Sequence, residues 1–250
     1  MSEMNWDREV DVLVVGTGNG GLTAAVCNWE MGTKNVLIIE KQDKVGGTSA
    51  TSGGGIWIPN SHYAKEVGAE DNPAAAKAYL MNTLFGEDVP EEMIDTYLEK
   101  APEMLEYLHD RTDVRYESLA EYPDYYTNME GAREGHRSLE PAPIMASELG
   151  ENWKNMTWTH FMMRMFDRIH FTQVEAHLLM VQLPGWKRLL ARLMWDYIRD
   201  IPWRFKTPIS RRLACGSAGV ARLYLSVLKR EIPLEFNTQM VELIAEGDSV

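Results

Sequence analysis

Cysteine and basic charge are both scarce in this sequence of 250 residues. The two cysteines, Cys27 and Cys215, lie far apart, which excludes a disulfide framework and the paired spacing of a zinc site. The six histidines are scattered without metal-ligand spacing, so no metal site is predicted. Acidic residues outnumber basic ones by 37 to 25, for a net charge of −12. Because nucleic acid binding depends on a basic surface, nucleic acid is not an expected partner.

Long apolar runs are also missing. No stretch reaches the roughly 18 uninterrupted apolar residues of a membrane-spanning helix, and the acidic start lacks the pattern of a secretory signal. A low cysteine content suits a reducing compartment. These absences predict a cytoplasmic protein. The content of 45% hydrophobic and 10% aromatic residues suffices for the core of a large domain.

A β-α-β unit is predicted at the start of the chain. The apolar run over 10–15, broken only by Asp11, indicates a buried strand, and the small and apolar residues over 22–31 indicate a closely packed helix. A second buried strand is predicted over 36–39. This order is the opening unit of a doubly wound sheet with parallel strands.

The turn between the first strand and the helix has the spacing GxGxxG. Gly16 permits the tight turn, Gly18 lets the backbone approach a pyrophosphate, and Gly21 lets the helix pack closely on the strand. The helix N-terminus stabilises the negative phosphates. Glu40, at the end of the second strand, is placed to accept hydrogen bonds from ribose hydroxyls. Together these features predict a dinucleotide site, and at this point NAD and FAD both remain open.

Glycine and hydroxyl-bearing residues crowd positions 46–55, and an apolar anchor follows at 56–58. A flavin that lies across the sheet needs close backbone approach and hydroxyl partners for its ribityl chain and phosphates. The second cluster therefore favours FAD, whereas a mobile linker is disfavoured by the anchor. The predicted FAD contacts of the two clusters are Gly16, Gly18, Asn19, Gly20, Gly21, Glu40, Lys41, Gly46, Gly47, Thr48, Ser49, Ser52, Gly53, Gly54 and Gly55.

The later part of the chain is predicted to alternate between helices and loops. The predicted elements are a helix over 73–85 behind an Asn72 cap, a helix over 90–109 bent at Pro102, a loop-rich region over 113–145, a helix over 219–230 and an extended segment over 234–245. A turn over 246–249 and a return strand beginning at Val250 are then expected. Because an unpaired strand edge is unfavourable, the sequence is expected to be part of a longer protein.

The segment 151–206 differs in composition from the rest. It holds nine basic and five acidic side chains, a net charge of +4, and five of the eight tryptophans. Within 184–204, apolar residues recur at helical spacing beside a basic face, which is typical of a helix on a membrane surface. The alternative is a helix that packs on the core of the protein or lines the path of an apolar substrate. The predicted division is 1–145, the first part of an FAD-binding domain; 146–206, a helical insertion; and 207–250, the continuation of the domain.

Several motifs resemble a known family. DVLVVGTGNGGLTAAV, VLIIEK and GGTSATSGGGIWIPN are similar to the fumarate reductase/succinate dehydrogenase flavoprotein superfamily. SGGGIWIPN, PDYY at 123–126 and GHRSLEP at 135–141 resemble a narrower group, the 3-ketosteroid Δ1-dehydrogenases. The resemblance covers 10–141, resumes over 215–245 and is poor between them. Members of this group are much longer, so the chain resembles their N-terminal part.

The resemblance implies an α/β fold, a Rossmann-like FAD-binding domain of the glutathione-reductase type that is incomplete and carries a helical insertion. It implies that the flavin takes a hydride from C1 of a 3-ketosteroid while a tyrosine base removes a proton from C2. Tyr125 matches the tyrosine that hydrogen-bonds the base, and Val241 lies in the strand that matches the adenine-contacting strand of the family. The base and the carbonyl-polarising groups belong to a part of the family outside this sequence, so the chain by itself is expected to be inactive.

The glycine cluster lacks the histidine at which succinate dehydrogenases attach flavin covalently, so the implied FAD is non-covalent. The leading hypothesis is an FAD-dependent oxidoreductase that acts on CH–CH groups of a steroid, with the electron acceptor left open. The alternatives are a fumarate-reductase-like flavoprotein, a Δ4-steroid dehydrogenase, or a truncated flavin-binding product without activity. PDYY favours the steroid, because small dicarboxylates call for arginines rather than an aromatic wall.

Overall fold

A computed structural model describes residues 7–244. The strands are β1 (Val12–Val15), β2 (Val36–Ile39), β3 (Ile56–Trp57), β4 (Tyr116–Ser118), β5 (Ser138–Pro141), β6 (Ile144–Met145), β7 (Arg164–Met165), β8 (Ile169–His170), β9 (Arg212–Leu213) and β10 (Leu234–Glu235). The α-helices are α1 (Asn19–Glu30), α2 (Gly47–Thr51), α3 (His62–Glu66), α4 (Pro73–Asn82), α5 (Glu91–Arg111), α6 (Gln173–Val181), α7 (Trp186–Arg199), α8 (Ile201–Arg204) and α9 (Cys215–Lys229). Ala146–Asn155 and Phe161–Met163 are 3-10 helices.

The main sheet has the order β1-β2-β10 and is parallel throughout. Helix α1 connects β1 to β2, and their register runs from Val12 opposite Val36 to Val15 opposite Ile39. Every residue of β2 is buried, as expected for the central strand of a parallel sheet. The predicted β-α-β unit is confirmed. Helix α1 begins earlier than predicted, at Asn19, because the last glycines of the turn already belong to its first turn.

Helix α9 forms the centre of the packing. Twelve of its fifteen residues are buried, and it packs against both α1 and α2. It begins at Cys215 rather than at 219, since small residues at its start allow the helix to enter the core next to the second glycine cluster. A helix that is apolar nearly all round belongs in the interior.

The predicted helices after the glycine clusters are present with shifted ends. The Asn72 side chain caps α4 by accepting hydrogen bonds from the Ala74 and Ala75 N–H groups at 2.9 and 3.4 Å. Helix α4 stops at Asn82, because the left-handed backbone at Phe85 (φ 50°) cannot continue a helix. Helix α5 includes Pro102 without ending there, and the bend predicted at Pro102 stays a prediction.

Two predicted regions differ in detail from the structure. The region 113–145 is loop-rich as predicted, but it also contains β4 and β5, which form an antiparallel sheet with the earlier strand β3, and Leu139 is fully buried at the centre of this sheet. These strands are too short for an alternating pattern to reveal. In the predicted extended segment, the described residues 234–244 pair only at β10, since Asn237 has a left-handed backbone (φ 56°) that ends the strand. The predicted turn over 246–249 and the strand at Val250 lie outside the described residues.

Residues of the segment 146–206 belong to two different hydrophobic clusters. Its beginning joins the main core through Leu149, Trp153 and Met156, whereas α7 buries Leu189 and Leu193 against Ile169 in a separate cluster. The segment is not wholly helical, because β7 and β8 form a short hairpin within it. The domain division at 146 and 206 therefore stays a prediction. Along residues 7–244, no helix is both long and apolar enough to cross a bilayer.

Candidate functional site

A cavity of about 810 Å³ lies at the carboxyl ends of β1 and β2. Ligands of doubly wound sheets bind at this edge. Six of the predicted contact residues line it: Gly16, Gly18, Glu40, Lys41, Gly47 and Thr48. The other lining residues are Val15, Thr17, Ile39, Gln42, Thr51, Thr157, Thr238, Gln239 and Met240. The structure thus brings parts of both glycine clusters to one cavity.

The first glycine turn is shaped by two positions that exclude a side chain. Gly16 has φ 93°, a conformation that favours glycine. A Cβ atom at Gly21 would lie 2.1 Å from the Gly16 carbonyl oxygen. Gly18 precedes α1, and the Asn19 N–H group donates a 3.1 Å hydrogen bond to Ser49 Oγ. The first turn is therefore tied directly to the second cluster.

The Glu40 side chain is hydrogen-bonded to the first glycine turn. Its Oε2 accepts hydrogen bonds from the Thr17 N–H at 3.0 Å and the Thr17 hydroxyl at 2.5 Å, and its Oε1 accepts from the Gln42 N–H at 3.0 Å. Burial raises the pKa of this carboxyl, but the hydrogen bonds from Thr17 and the neighbouring backbone lower it further, so the pKa lies below its usual value. The carboxylate is thus ionised at neutral pH.

Thr17 is a residue that the sequence reasoning missed. It is fully buried, and its Oγ1 both donates to Glu40 and accepts a 3.1 Å hydrogen bond from the Gly46 N–H. One hydroxyl therefore joins β2, the first turn and the second cluster. Its position inside the GxGxxG turn could have singled it out from the sequence.

The second glycine cluster is not a loop throughout, because residues 47–51 form α2. Gly46 has φ 114°, and a Cβ atom there would lie 2.9 Å from Val220 Cγ1 of α9. Ser52 Oγ accepts a 3.0 Å hydrogen bond from the Gly54 N–H, while the Ser52 carbonyl accepts one from the Gly216 N–H at 3.0 Å. The cluster is therefore pressed against the start of α9.

The run 53–55 is covered by side chains from the segment 146–206. Met163 Cε would lie 3.5 Å from a Cβ atom at Gly53, and Gln173 Nε2 would lie 3.1 Å from one at Gly55. Gln173 also donates a 3.4 Å hydrogen bond to the Gly53 carbonyl. Neither residue has a local pattern that marks it, because both reach the run from more than a hundred residues away in sequence.

The far wall of the cavity comes from residues 238–240. The Thr238 N–H group donates to the Glu40 carbonyl at 2.9 Å, which fixes this wall to the end of β2. Val241 lies just past the wall with 88% of its surface exposed. Its assignment as an adenine contact stays a prediction, and Met240 is the neighbouring residue that lines the cavity.

The arrangement fits a flavin dinucleotide. Helix α1 starts without a side-chain cap from Gly18, and in the described part of the chain only the Asn19 N–H of its first turn is taken, by Ser49, so the N–H groups of Gly20 and Gly21 are available to phosphate oxygens. Asn19 Oδ1 is buried without a hydrogen-bond partner among the described residues, and a hydroxyl of a bound ligand would satisfy it. The cavity volume falls within the range of about 300–1,000 Å³ that is usual for cofactor sites. The individual contacts stay predictions.

The PDYY segment lies at a second, smaller cavity of about 250 Å³, lined by Trp57, Tyr79 and residues 122–126 among others. Tyr125 has 84% of its surface exposed. Burial and a hydrogen bond with Tyr125 both raise the pKa of Tyr122. Tyr125 is not among the residues that line the cavity at β1 and β2, but it lines the smaller cavity together with Trp57, which belongs to the strand after the second glycine cluster.

Comparison with known proteins agrees with this geometry. The chain is 32% identical over 247 residues to the 3-oxosteroid 1-dehydrogenase of Comamonas testosteroni, which covers 96% of this chain and 42% of that protein. It is 39% identical over 131 residues to the 4-oxocyclohexanecarboxylate 2-dehydrogenase of Sinomonas cyclohexanicum, with 52% of this chain and 22% of that protein covered. The crystal structure of 3-ketosteroid Δ1-dehydrogenase from Sterolibacterium denitrificans in complex with 1,4-androstadiene-3,17-dione superposes with a TM-score of 0.88 at 36% identity, covering 95% of this chain and 42% of that one.

These likenesses confirm the predicted resemblance and the α/β fold, and they show that the chain spans less than half the length of the relatives it matches. The family model described as FAD binding domain matches residues 11–250. The match includes both glycine clusters and the cavity they share, and it confirms FAD as the cofactor. The chain therefore belongs to the FAD binding domain family.

Proposed function

We propose that this chain is the FAD-binding part of a dehydrogenase that introduces a double bond between C1 and C2 of 3-ketosteroids. The observation that carries the proposal is the likeness to the 3-ketosteroid Δ1-dehydrogenase at 36% identity over 95% of the chain. The exposed Tyr125 on the PDYY segment supports it, since the resemblance gives that residue a place next to a proton-transferring tyrosine. The related 4-oxocyclohexanecarboxylate 2-dehydrogenase is also named for a ring ketone.

Bound FAD supplies an acceptor for the hydride of the substrate. In our proposal the residues of this chain hold and orient the cofactor: the start of α1 and Gly18 take the phosphates, Glu40 takes the adenosine ribose, and 52–55 takes the flavin end. The Tyr125 hydroxyl hydrogen-bonds the base that removes the C2 proton. Among residues 7–244, no cysteine or histidine lines the cavity at β1 and β2, so we expect acid precipitation to release all of the FAD.

The test is anaerobic flavin reduction in the complete gene product, followed by stopped flow. We expect 3-ketosteroids to reduce the flavin and succinate to leave it oxidised. Reduction by succinate without reduction by any steroid would replace the proposal with the fumarate-reductase-like alternative.

A pair of tyrosine variants sharpens this test. Tyr125→Phe removes one exposed hydroxyl, so FAD content and melting temperature should not change, while the reduction rate should fall roughly ten- to a thousandfold. Tyr126→Phe is the matched control, since Tyr126 is the next residue in the sequence and its ring packs on Phe85. Equal rates for wild type and Tyr125→Phe would assign Tyr125 to packing.

We also propose a peripheral membrane contact through 184–204. Trp195, Ile198 and Ile201 have at least half of their surface exposed there, next to exposed arginines such as Arg188. A basic face with exposed apolar side chains suits an anionic lipid surface. Flotation with anionic vesicles should recover the protein, and Trp195→Ala should weaken recovery, whereas the control Phe161→Ala should not. Equal recovery of both variants would refute the contact.

A further inference from the structure

Asp124, the residue before Tyr125, has a buried carboxylate group, and both of its oxygens accept hydrogen bonds. Its side chain has 1% of its surface exposed. Oδ1 accepts a 2.7 Å hydrogen bond from Trp57 Nε1–H, and Oδ2 accepts from the Arg133 N–H at 2.9 Å and from Arg137 Nη1 at 2.8 Å. The carboxylate therefore ties the PDYY segment to the strand that follows the second glycine cluster.

Arg137 completes the cluster from the other side. Its guanidinium has 1% exposed surface and forms a two-pronged pair with Asp71, at 2.9 and 3.0 Å. Arg133 also pairs with Asp71, at 3.1 Å. Two carboxylates thus balance two guanidinium groups. Buried ion pairs of this kind contribute little net stability, because desolvation offsets their attraction, and their value lies in fixing one conformation.

The backbone on both sides of Tyr125 is fixed, whereas its side chain is exposed and contacts Tyr122. Asp124 is held through its carboxylate and through its N–H group, which donates to the Arg133 carbonyl at 2.9 Å. The Tyr126 N–H group donates to the Tyr79 hydroxyl at 3.2 Å, and the Tyr79 ring packs on Trp57 with 5.9 Å between centroids. A rigid backbone that presents an exposed polar side chain is an arrangement suited to a pre-organised site.

We propose that Asp124 is a positioning residue for Tyr125: the hydrogen bond from Trp57 to its carboxylate sets the place of the Tyr125 hydroxyl relative to the flavin-binding run 53–55. The kinetic consequence of this inference rests on the proposed function, whereas the position of the tyrosine does not. Asp124 itself neither touches the substrate nor transfers a proton.

The main variant is Trp57→Phe, which removes the N–H donor to Asp124 and keeps the ion pair of Asp124 with Arg137 intact. Tyr97→Phe is its matched control. The Tyr97 hydroxyl donates to the Trp57 carbonyl, so both variants remove one hydrogen bond at Trp57, but Tyr97 makes no hydrogen bond to the PDYY segment. Asp124→Asn is the second variant, because whichever way its amide turns, its NH₂ group faces a donor, either Trp57 Nε1–H or the Arg137 guanidinium.

The kinetic test compares each variant with and without Tyr125→Phe. Because misplacing a reacting group by about 1 Å costs roughly a hundredfold in rate, we expect Trp57→Phe to slow flavin reduction by a 3-ketosteroid about ten- to a hundredfold. In the Tyr125→Phe background the same change should slow it less than about twofold, because no hydroxyl remains to be placed. Tyr97→Phe should have little effect in either background. Equal factors for Trp57→Phe in the two backgrounds would overturn the proposal.

A second measurement is independent of the reaction. With 3-fluorotyrosine at position 125 of the flavin-loaded protein, one fluorine resonance is expected in the wild type and with Tyr97→Phe. Trp57→Phe and Asp124→Asn should shift or split it. An unmoved resonance in both variants would also overturn the proposal. If no 3-ketosteroid reduces the wild-type flavin but the resonance moves as stated, the proposed function fails and the positioning role of Asp124 stands.

Discussion

Replacing Glu40 with glutamine tests whether this carboxylate builds the dinucleotide turn. Its two oxygens accept three hydrogen bonds, two from Thr17 and one from Gln42. Glutamine offers one acceptor oxygen and one NH₂ group in their place. Whichever way the amide turns, the N–H group of Thr17 or of Gln42 loses its acceptor.

The expected size of the effect follows from those contacts. A hydrogen bond to a charged group contributes about 1.5–3 kcal/mol, which corresponds to a factor of roughly ten to a hundred or more in an equilibrium constant. Because the Thr17 hydroxyl also accepts from the Gly46 N–H, the loss reaches both glycine clusters. We therefore expect Glu40→Gln to weaken FAD binding by about tenfold or more.

The assay is titration of the apoprotein with FAD, followed by quenching of flavin fluorescence. Asp43→Asn, which changes an exposed carboxylate in the same segment, is the control and should bind as the wild type does. The pKa of Glu40 is lower in the folded protein than in the unfolded chain. Its stabilising contribution is therefore complete above the unfolded pKa and is lost as the pH falls through the lower folded one. Affinity and melting temperature that match the wild type at neutral pH would refute the assignment.

Two further predictions concern packing and buried charge. Gly54→Ala should lower the free energy of unfolding by roughly 2 kcal/mol or more, because its Cβ would lie 2.7 Å from the Gly216 nitrogen at φ 71°. Gly68 also has a positive φ, 76°, but a Cβ atom there would meet no neighbour among the described residues. Gly68→Ala should therefore lower the free energy of unfolding only by the backbone strain of about 1–2 kcal/mol, and equal losses for the two variants in urea denaturation would contradict a clash at Gly54. Burial, with the charges of Arg164 and Arg212, lowers the pKa of His170 from 6.5 to about 3. The unfolded chain therefore takes up a proton below pH 6.5 that the folded protein refuses, so stability is complete above that pH and is lost toward pH 3. His170→Gln should remove roughly 1.4 kcal/mol of that loss per pH unit between 6.5 and about 4.5, and a pH profile of unfolding that matches the wild type would contradict this reasoning.

The sequence by itself determined the β-α-β unit, its glycine turn and the choice of FAD. These features depend on contacts within a few tens of residues, where strand, turn and helix preferences act on neighbouring positions. The Asn72 cap and the helix across Pro102 are local in the same sense. Short strands such as β3 escaped prediction, because two residues carry no period and pair only when a distant strand is present.

Only the tertiary structure decided which distant residues complete the site. Gln173 reaches the Gly53 carbonyl across 120 residues, and Asp124 meets Trp57 across 67. Such contacts arise when packing of α9 and the small sheet brings separate segments together, and no local preference of either partner encodes them. The same packing leaves Tyr125 exposed while it buries Asp124 beside it. Both residues lie in one sequence motif. In the fold, Tyr125 has the exposed side chain, and Asp124 is the buried group that holds it in place.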